Sequence, residues 1–188
     1  MLAHRYQTIH QELVVHSTDI VRHIDDALWH LEEPIANAII VPMFMLSDVA
    51  SRTVAVALSG EGGDELFGGY ARYRFCKIAN VVQHIPAPMR NVLNATKFYK
   101  FNIPNGVERY ASLMFQGDNV WKHVMRHNIP LATTKELFNT LYFKDMDSDT
   151  VRQIMEIDRR TWLTDEALLR SDKMSMAHGL EMRVPLLE

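Results

Sequence analysis

The chain has 188 residues, 47% of them apolar and 23% charged, ordinary for a globular protein long enough to bury a real core. A formal net charge of −3 argues against the basic footprint of a nucleic-acid or acidic-membrane binder, and the single cysteine, Cys76, excludes an intramolecular disulfide framework. With no apolar run near the ~18–20 residues a bilayer requires, and no apolar core after Met1-Leu2-Ala3-His4-Arg5, the expectation is a cytoplasmic protein with neither membrane nor nucleic-acid partners.

In chain order, Thr8 to Val15 reads as a short strand. Ser17 caps a helix with Asp19 in its first turn and Ile20, Ile24, Leu28 and Leu31 at helical spacing. Glu32-Glu33-Pro34 ends it, because proline restricts the residue before it and offers no N–H. A second helix follows Pro42 and carries Met45, Leu46, Val49 and Ala50. Val54-Ala55-Val56-Ala57-Leu58 then reads as a buried strand, and this β–α–α–β order predicts a crossover into a parallel sheet. Beyond it come a helix over 65–83, another around 87–99, a turn at Asn102 to Gly106, and helices near 106–115, 117–127 and 133–142, the last capped by Thr133 or Thr134. A longer helix runs from Asp147 to Trp162, and Thr164 caps the final one. No strand is expected after Leu58, and no linker divides the chain. The fold class is α/β: one domain over residues 1–188, a parallel-sheet fragment with a predominantly helical C-terminal part.

The chemistry concentrates after the predicted strand, in Ser59-Gly60-Glu61-Gly62-Gly63-Asp64-Glu65-Leu66-Phe67-Gly68-Gly69-Tyr70. A strand entering a Gly-rich turn gathers backbone N–H groups around a concavity suited to an anion or nucleotide. Glu61 and Asp64 would repel a bare phosphate, so a cation, a proton or an ammonia-like group is expected to share the site. Taken alone, Ser59-Gly60 is only a tight turn, Glu61 an exposed turn residue, and Asp64 a helix N-cap. Gly68-Gly69 is costly inside a helix, about 1 kcal/mol each relative to alanine, and signals close packing or a kink. The nine histidines show no metal spacing.

This run resembles the second signature of the asparagine synthetase family (glutamine-hydrolysing), and Leu168 to Glu188, with Leu169-Arg170-Ser171-Asp172-Lys173 and Glu181-Met182-Arg183-Val184-Pro185, resembles its later one. The resemblance implies an adenine nucleotide α-hydrolase-like fold and the cofactors ATP and Mg²⁺. It also implies amidation of aspartate through β-aspartyl-AMP, with ammonia drawn from glutamine. Ser59 and Gly60 would contact the nucleotide, Glu61 would take the proton from the attacking ammonia, and Asp64 would ligate Mg²⁺. Lys173 and Arg183 would hold carboxylates or balance phosphate charge, with a buried ion-pair network as the structural alternative. The family's Ser-Gly-Gly-x-Asp-Ser pyrophosphate loop has no counterpart in residues 1–188, nor has its glutaminase domain. The chain therefore reads as the middle of a larger enzyme, forming little or no amide alone. Rival expectations are an amidoligase acting on another carboxylate and a non-catalytic or split subunit.

Overall fold

The computed structural model describes residues 2–33, 37–92, 99–114, 131–143 and 150–188. The chain divides into two compact units, Met1–Glu61 with Thr164–Glu188, and Gly62–Leu163.

The first unit holds α1 (Leu2–Tyr6), α2 (Ser17–Leu31), α3 (Ile40–Ser51), β1 (Val56–Leu58), α10 (Leu169–Met176) and β2 (Glu181–Arg183). Ala27 and Leu31 of α2, Ile40, Val41 and Phe44 of α3, and Met174 of α10 form its core, with Ile20, Met43, Met45 and Ala177 packed around them. Each large apolar side chain taken fully out of water contributes about 1.5–3 kcal/mol. β1 and β2 pair in parallel, Val56 opposite Glu181 and Leu58 opposite Arg183. The ladder continues as the Glu181 amide donates to the Ala55 carbonyl (2.9 Å) and the Ser59 amide to the Arg183 carbonyl (2.8 Å). After α10, Gly179 adopts φ +67°, a conformation glycine reaches without a Cβ penalty, and the Leu180 amide bonds back to Ser175 (3.1 Å).

Several expectations change here. Residues 8–16 carry no regular structure and are almost wholly exposed. An extended segment becomes a strand only when a neighbour accepts its ladder bonds. The helix cap is His16 rather than Ser17; its amide donates to Asp19 Oδ2 at 2.9 Å. Val54–Leu58 is not buried: the strand is three residues long, with Val56 41% and Leu58 74% exposed, because a two-stranded sheet leaves most of its surface uncovered. β2 is the strand that had not been expected. Glu-Met-Arg has no strand signature of its own, and its pairing with β1 is a long-range event.

The second unit, among its described residues, is entirely helical: α4 (Gly63–Phe67), α5 (Ala71–Gln83), α6 (Ala87–Arg90), a 3₁₀ turn (Tyr99–Asn102), α7 (Val107–Met114), α8 (Leu131–Phe138), a π-helical turn (Asn139–Phe143) and α9 (Thr150–Arg160). Tyr73, Cys76, Tyr110, Ile154 and Ile157 make its core, extended by aromatic contacts such as Phe75 on Phe101 (4.5 Å) and Tyr110 on Phe138 (5.7 Å). The expected helix over 65–83 is two helices. Gly68 ends α4 at φ +72°, and the Gly68 and Gly69 amides both bond to the Asp64 carbonyl (2.8 and 3.0 Å). Of the helix expected at 87–99, α6 covers Ala87–Arg90 and residues 93–98 lie outside the described residues, as does the helix expected at 117–127; Thr133 and Thr134 fall inside α8 instead of capping it. Thr164 likewise falls inside a π-helical turn, Trp162–Leu168, that runs without a break into α10. Among the described residues no helix is long and apolar enough to cross a membrane.

Candidate functional site

Glu61 leaves the end of β1 through Ser59 and Gly60. The Glu61 amide donates to Ser59 Oγ (3.3 Å), a short local bond of the kind serine offers in turns. Its side chain is a quarter exposed and meets two residues of the later signature. Ser171 Oγ donates to Glu61 Oε1 at 3.2 Å, and Arg170 Nη2 lies 3.6 Å from the same oxygen, near enough for charge attraction but beyond hydrogen-bond length. Arg170 is itself only 5% exposed and locked from behind. Its Nη1 bonds to Glu166 Oε1, its Nε points at the Met43 sulfur (3.3 Å), and Asn37 Nδ2 donates to Glu166 Oε1 (2.7 Å). The result is a chain of contacts, Asn37 to Glu166 to Arg170 to Glu61, drawn from three separate stretches of the first unit.

Gly60 is exposed, and a Cβ built there would meet nothing within 4 Å. Lys173 pairs with Glu32 across α10 and the end of α2, and Arg183 pairs with Glu181 along β2 (2.8 Å). Both pairs are solvent-accessible, so neither forms a buried network; each cation is held above its ordinary pKa chiefly by its partner's hydrogen bond. Neither contacts Glu61 through a hydrogen bond or ion pair. Arg170, Ser171, Glu166 and Asn37 were not singled out in the sequence. Arg170 and Ser171 at least lie inside the quoted signature, while Asn37 and Glu166 carry no local signal.

Asp64 belongs to the second unit. It sits in the first turn of α4, whose cap is Gly62 at φ +85°, so it is not the N-cap. The carboxylate is exposed and has no side-chain partner among the described residues. A Cβ on Gly69 would fall 1.8 Å from Asp64 Oδ1; glycine at 69 leaves that oxygen its place. Those features suit a single carboxylate contributing to a hard cation that takes its remaining ligands from phosphate and water. The described residues contain no group of three or more His, Cys, Asp or Glu able to hold a metal by themselves. Glu65, by contrast, is buried and accepts the Tyr70 hydroxyl at 2.6 Å, which makes it structural.

The whole chain, residues 1–188, matches the family model described as asparagine synthase. It is 28% identical over 191 residues to asparagine synthetase [glutamine-hydrolyzing] 1 of Bacillus subtilis, a match covering 93% of this chain and 30% of that protein. A putative asparagine synthetase [glutamine-hydrolyzing] of Mycobacterium bovis is 32% identical over 195 residues, covering 95% of this chain and 29% of that protein. Asparagine synthetase [glutamine-hydrolyzing] 1 of Arabidopsis thaliana is 39% identical over 66 residues, 34% of this chain and 11% of that one. The chain thus spans about 30% of the length of the first two relatives. No solved structure matches it.

Proposed function

Because the chain belongs to the asparagine synthase family, we propose that these residues form part of the synthetase site of a cytoplasmic ATP-dependent ligase that converts aspartate to asparagine. In this reading the aspartate side-chain carboxylate attacks the α-phosphorus of ATP, pyrophosphate leaves, and β-aspartyl-AMP forms. Ammonia released from glutamine then attacks the acyl carbon, a proton passes to Glu61, and AMP departs. A carboxylate within reach of the attacking nitrogen contributes typically 10²–10⁴-fold to such a step.

The observation that carries the reading is the anchoring of Glu61: one carboxylate oxygen is engaged by Ser171 and Arg170, two residues of the second recognised motif. Ser59 and Gly60, at the mouth of β1, are the proposed nucleotide contacts. Asp64 would hold Mg²⁺, which when bound neutralises phosphate charge. The parallel pairing of β1 and β2, in a unit whose other elements are helices, supports an adenine nucleotide α-hydrolase-like layout. Since residues 1–188 contain no pyrophosphate loop, the chain by itself should form little or no amide.

The test uses the native protein that carries this sequence. Pyrophosphate release should depend on aspartate, and Glu61→Gln should lower amide formation about 10²–10⁴-fold while sparing adenylation. Amide formation that survives this substitution refutes the role of Glu61, and pyrophosphate release driven by another carboxylate refutes the acceptor.

A further inference from the structure

Hydroxyl side chains inside the helices of this protein mostly bond to their own backbone. Ser51 donates to the Asp48 carbonyl (3.0 Å), Ser112 to Arg109 (2.7 Å), Thr140 to Glu136 (2.9 Å) and Ser175 to Asp172 (3.2 Å). That local back-bonding is what a helical serine or threonine does by default. Ser171 departs from it. Although it lies in the same helix as Ser175 and is only 3% exposed, its hydroxyl is turned away from its own turn and spent on Glu61, 110 positions earlier in the chain.

A glutamate carboxylate rotates about its last torsion through a broad, roughly two-fold profile, so a side chain fixed at its Cα still presents either oxygen. Something must choose between them. Arg170 cannot do so by hydrogen bonding, because it stands 3.6 Å off and its other nitrogens are committed to Glu166 and Met43. The Ser171 hydroxyl is the only hydrogen-bond donor to the Glu61 side chain among the described residues. Glu61 Oε2 has no such bond and is not sealed from solvent.

We infer that Ser171 is a positioning residue: by engaging Oε1 of Glu61, with Arg170 supplying charge from a fixed place, it leaves Oε2 as the oxygen that receives the proton. This rests on the proposed function, since it divides the labour of the base assigned there. Arg170 anchors the charge, and Ser171 sets the angle.

The experiment compares Ser171→Ala, Ser171→Cys and Ser171→Thr in the native protein that carries this sequence. Loss of a hydrogen bond to a charged group should cut kcat for amide formation about tenfold or more in the Ala and Cys variants, with KM for ATP and for the acceptor unchanged. Thr, which keeps the hydroxyl, should recover most of the loss. Cysteine matches serine in shape, so a packing role would leave that variant active and overturn the inference. Independently of turnover, the carboxyl ¹³C resonance of Glu61, identified by its disappearance in Glu61→Gln, should move in Ser171→Ala. An unmoved resonance overturns the contact itself. Should Glu61→Gln keep full amide formation while the resonance moves in Ser171→Ala, the contact stands and the proposed role of Glu61 is what fails.

Discussion

Asp158 sits at the centre of the second unit with no exposed surface, and its carboxylate is the acceptor for three side chains. Arg72 Nε donates to Oδ2 at 2.8 Å, the Tyr73 hydroxyl to the same oxygen at 2.7 Å, and the Tyr110 hydroxyl to Oδ1 at 3.3 Å. The Arg72 guanidinium carbon lies over the Tyr70 ring (3.7 Å), and the Tyr70 hydroxyl donates to Glu65 of α4. One buried carboxylate therefore ties α9 to the break between α4 and α5. Burial and the bond to Asp158 together drive the Tyr73 phenol upward, and burial with the Glu65 bond pushes Tyr70 to about 12, so both remain donors at any physiological pH. Asp158→Ala strips Arg72 of its counter-charge in a mostly buried place and should cost about 3–5 kcal/mol. Asp158→Asn keeps an oxygen for Arg72 and Tyr73 but removes the negative charge facing Arg72 and leaves the Tyr73 bond neutral, a loss of about 2 kcal/mol. Tyr73→Phe removes one bond to the carboxylate and should cost about 1.5–3 kcal/mol. Urea unfolding followed by hydrogen exchange of the α5 amides reads this unit directly. If Asp158→Ala cost under about 1 kcal/mol, or if Asp158→Asn proved as stable as the parent, the claim that charge at this position organises the unit would be wrong.

Three further outcomes are expected. Gly68→Ala should destabilise by about 1–2 kcal/mol, because a Cβ there has ordinary room against Met155 but φ is +72°; Gly68→Asn should cost less, and equal costs would show that crowding, not backbone conformation, sets the penalty. Burial holds the His178 imidazole below its ordinary value, against the opposing pull of Asp48 at 3.9 Å. Its unfolded form therefore binds protons more tightly, and the associated stability is complete above the unfolded pKa of about 6.5 and is lost as pH falls through the folded value. His178→Gln should flatten that dependence between about pH 5 and 7 in paired melting curves, and an unchanged slope would count against it. Cys76 is fully buried, and that burial pushes its thiol up to about 11. A thiol reagent at neutral pH should leave it unmodified in the native protein and label it once denaturant is added; rapid native labelling would contradict the packing.

Much of the fold was readable from short-range chemistry. Of the stripe Ile20, Ile24, Leu28 and Leu31, Leu31 is buried and Ile20 packs on the core, but Ile24 and Leu28 stay 37% and 42% exposed and Ala27 takes the core position instead. Pro42 sits where a first helical turn accepts it, and α2 ends at Leu31, just before the Glu32-Glu33-Pro34 run. The oddity of two adjacent glycines at 68 and 69 was visible too, though the resulting break was not, since it needs the backbone to settle into a left-handed turn beside Met155. The Ser59-to-Tyr70 run stood out as the candidate site before any coordinates.

What required the tertiary structure was the choice of partners. Val56 and Leu58 read as core because they are apolar, yet burial depends on what lies across from a strand, and here that is Glu181-Met182-Arg183, a segment with no strand character of its own. Among the charged residues after Leu168, sequence alone favoured Lys173 and Arg183, but folding turns those outward to Glu32 and Glu181 and brings Arg170 and Ser171 to Glu61 instead. Asp158 shows the same limit: an acidic residue on an amphipathic helix looks solvated until two tyrosines and an arginine from other helices close over it. Residue type and period report what a side chain can do within a few turns of its own backbone; which distant group it meets follows only from how the helices and the two strands pack.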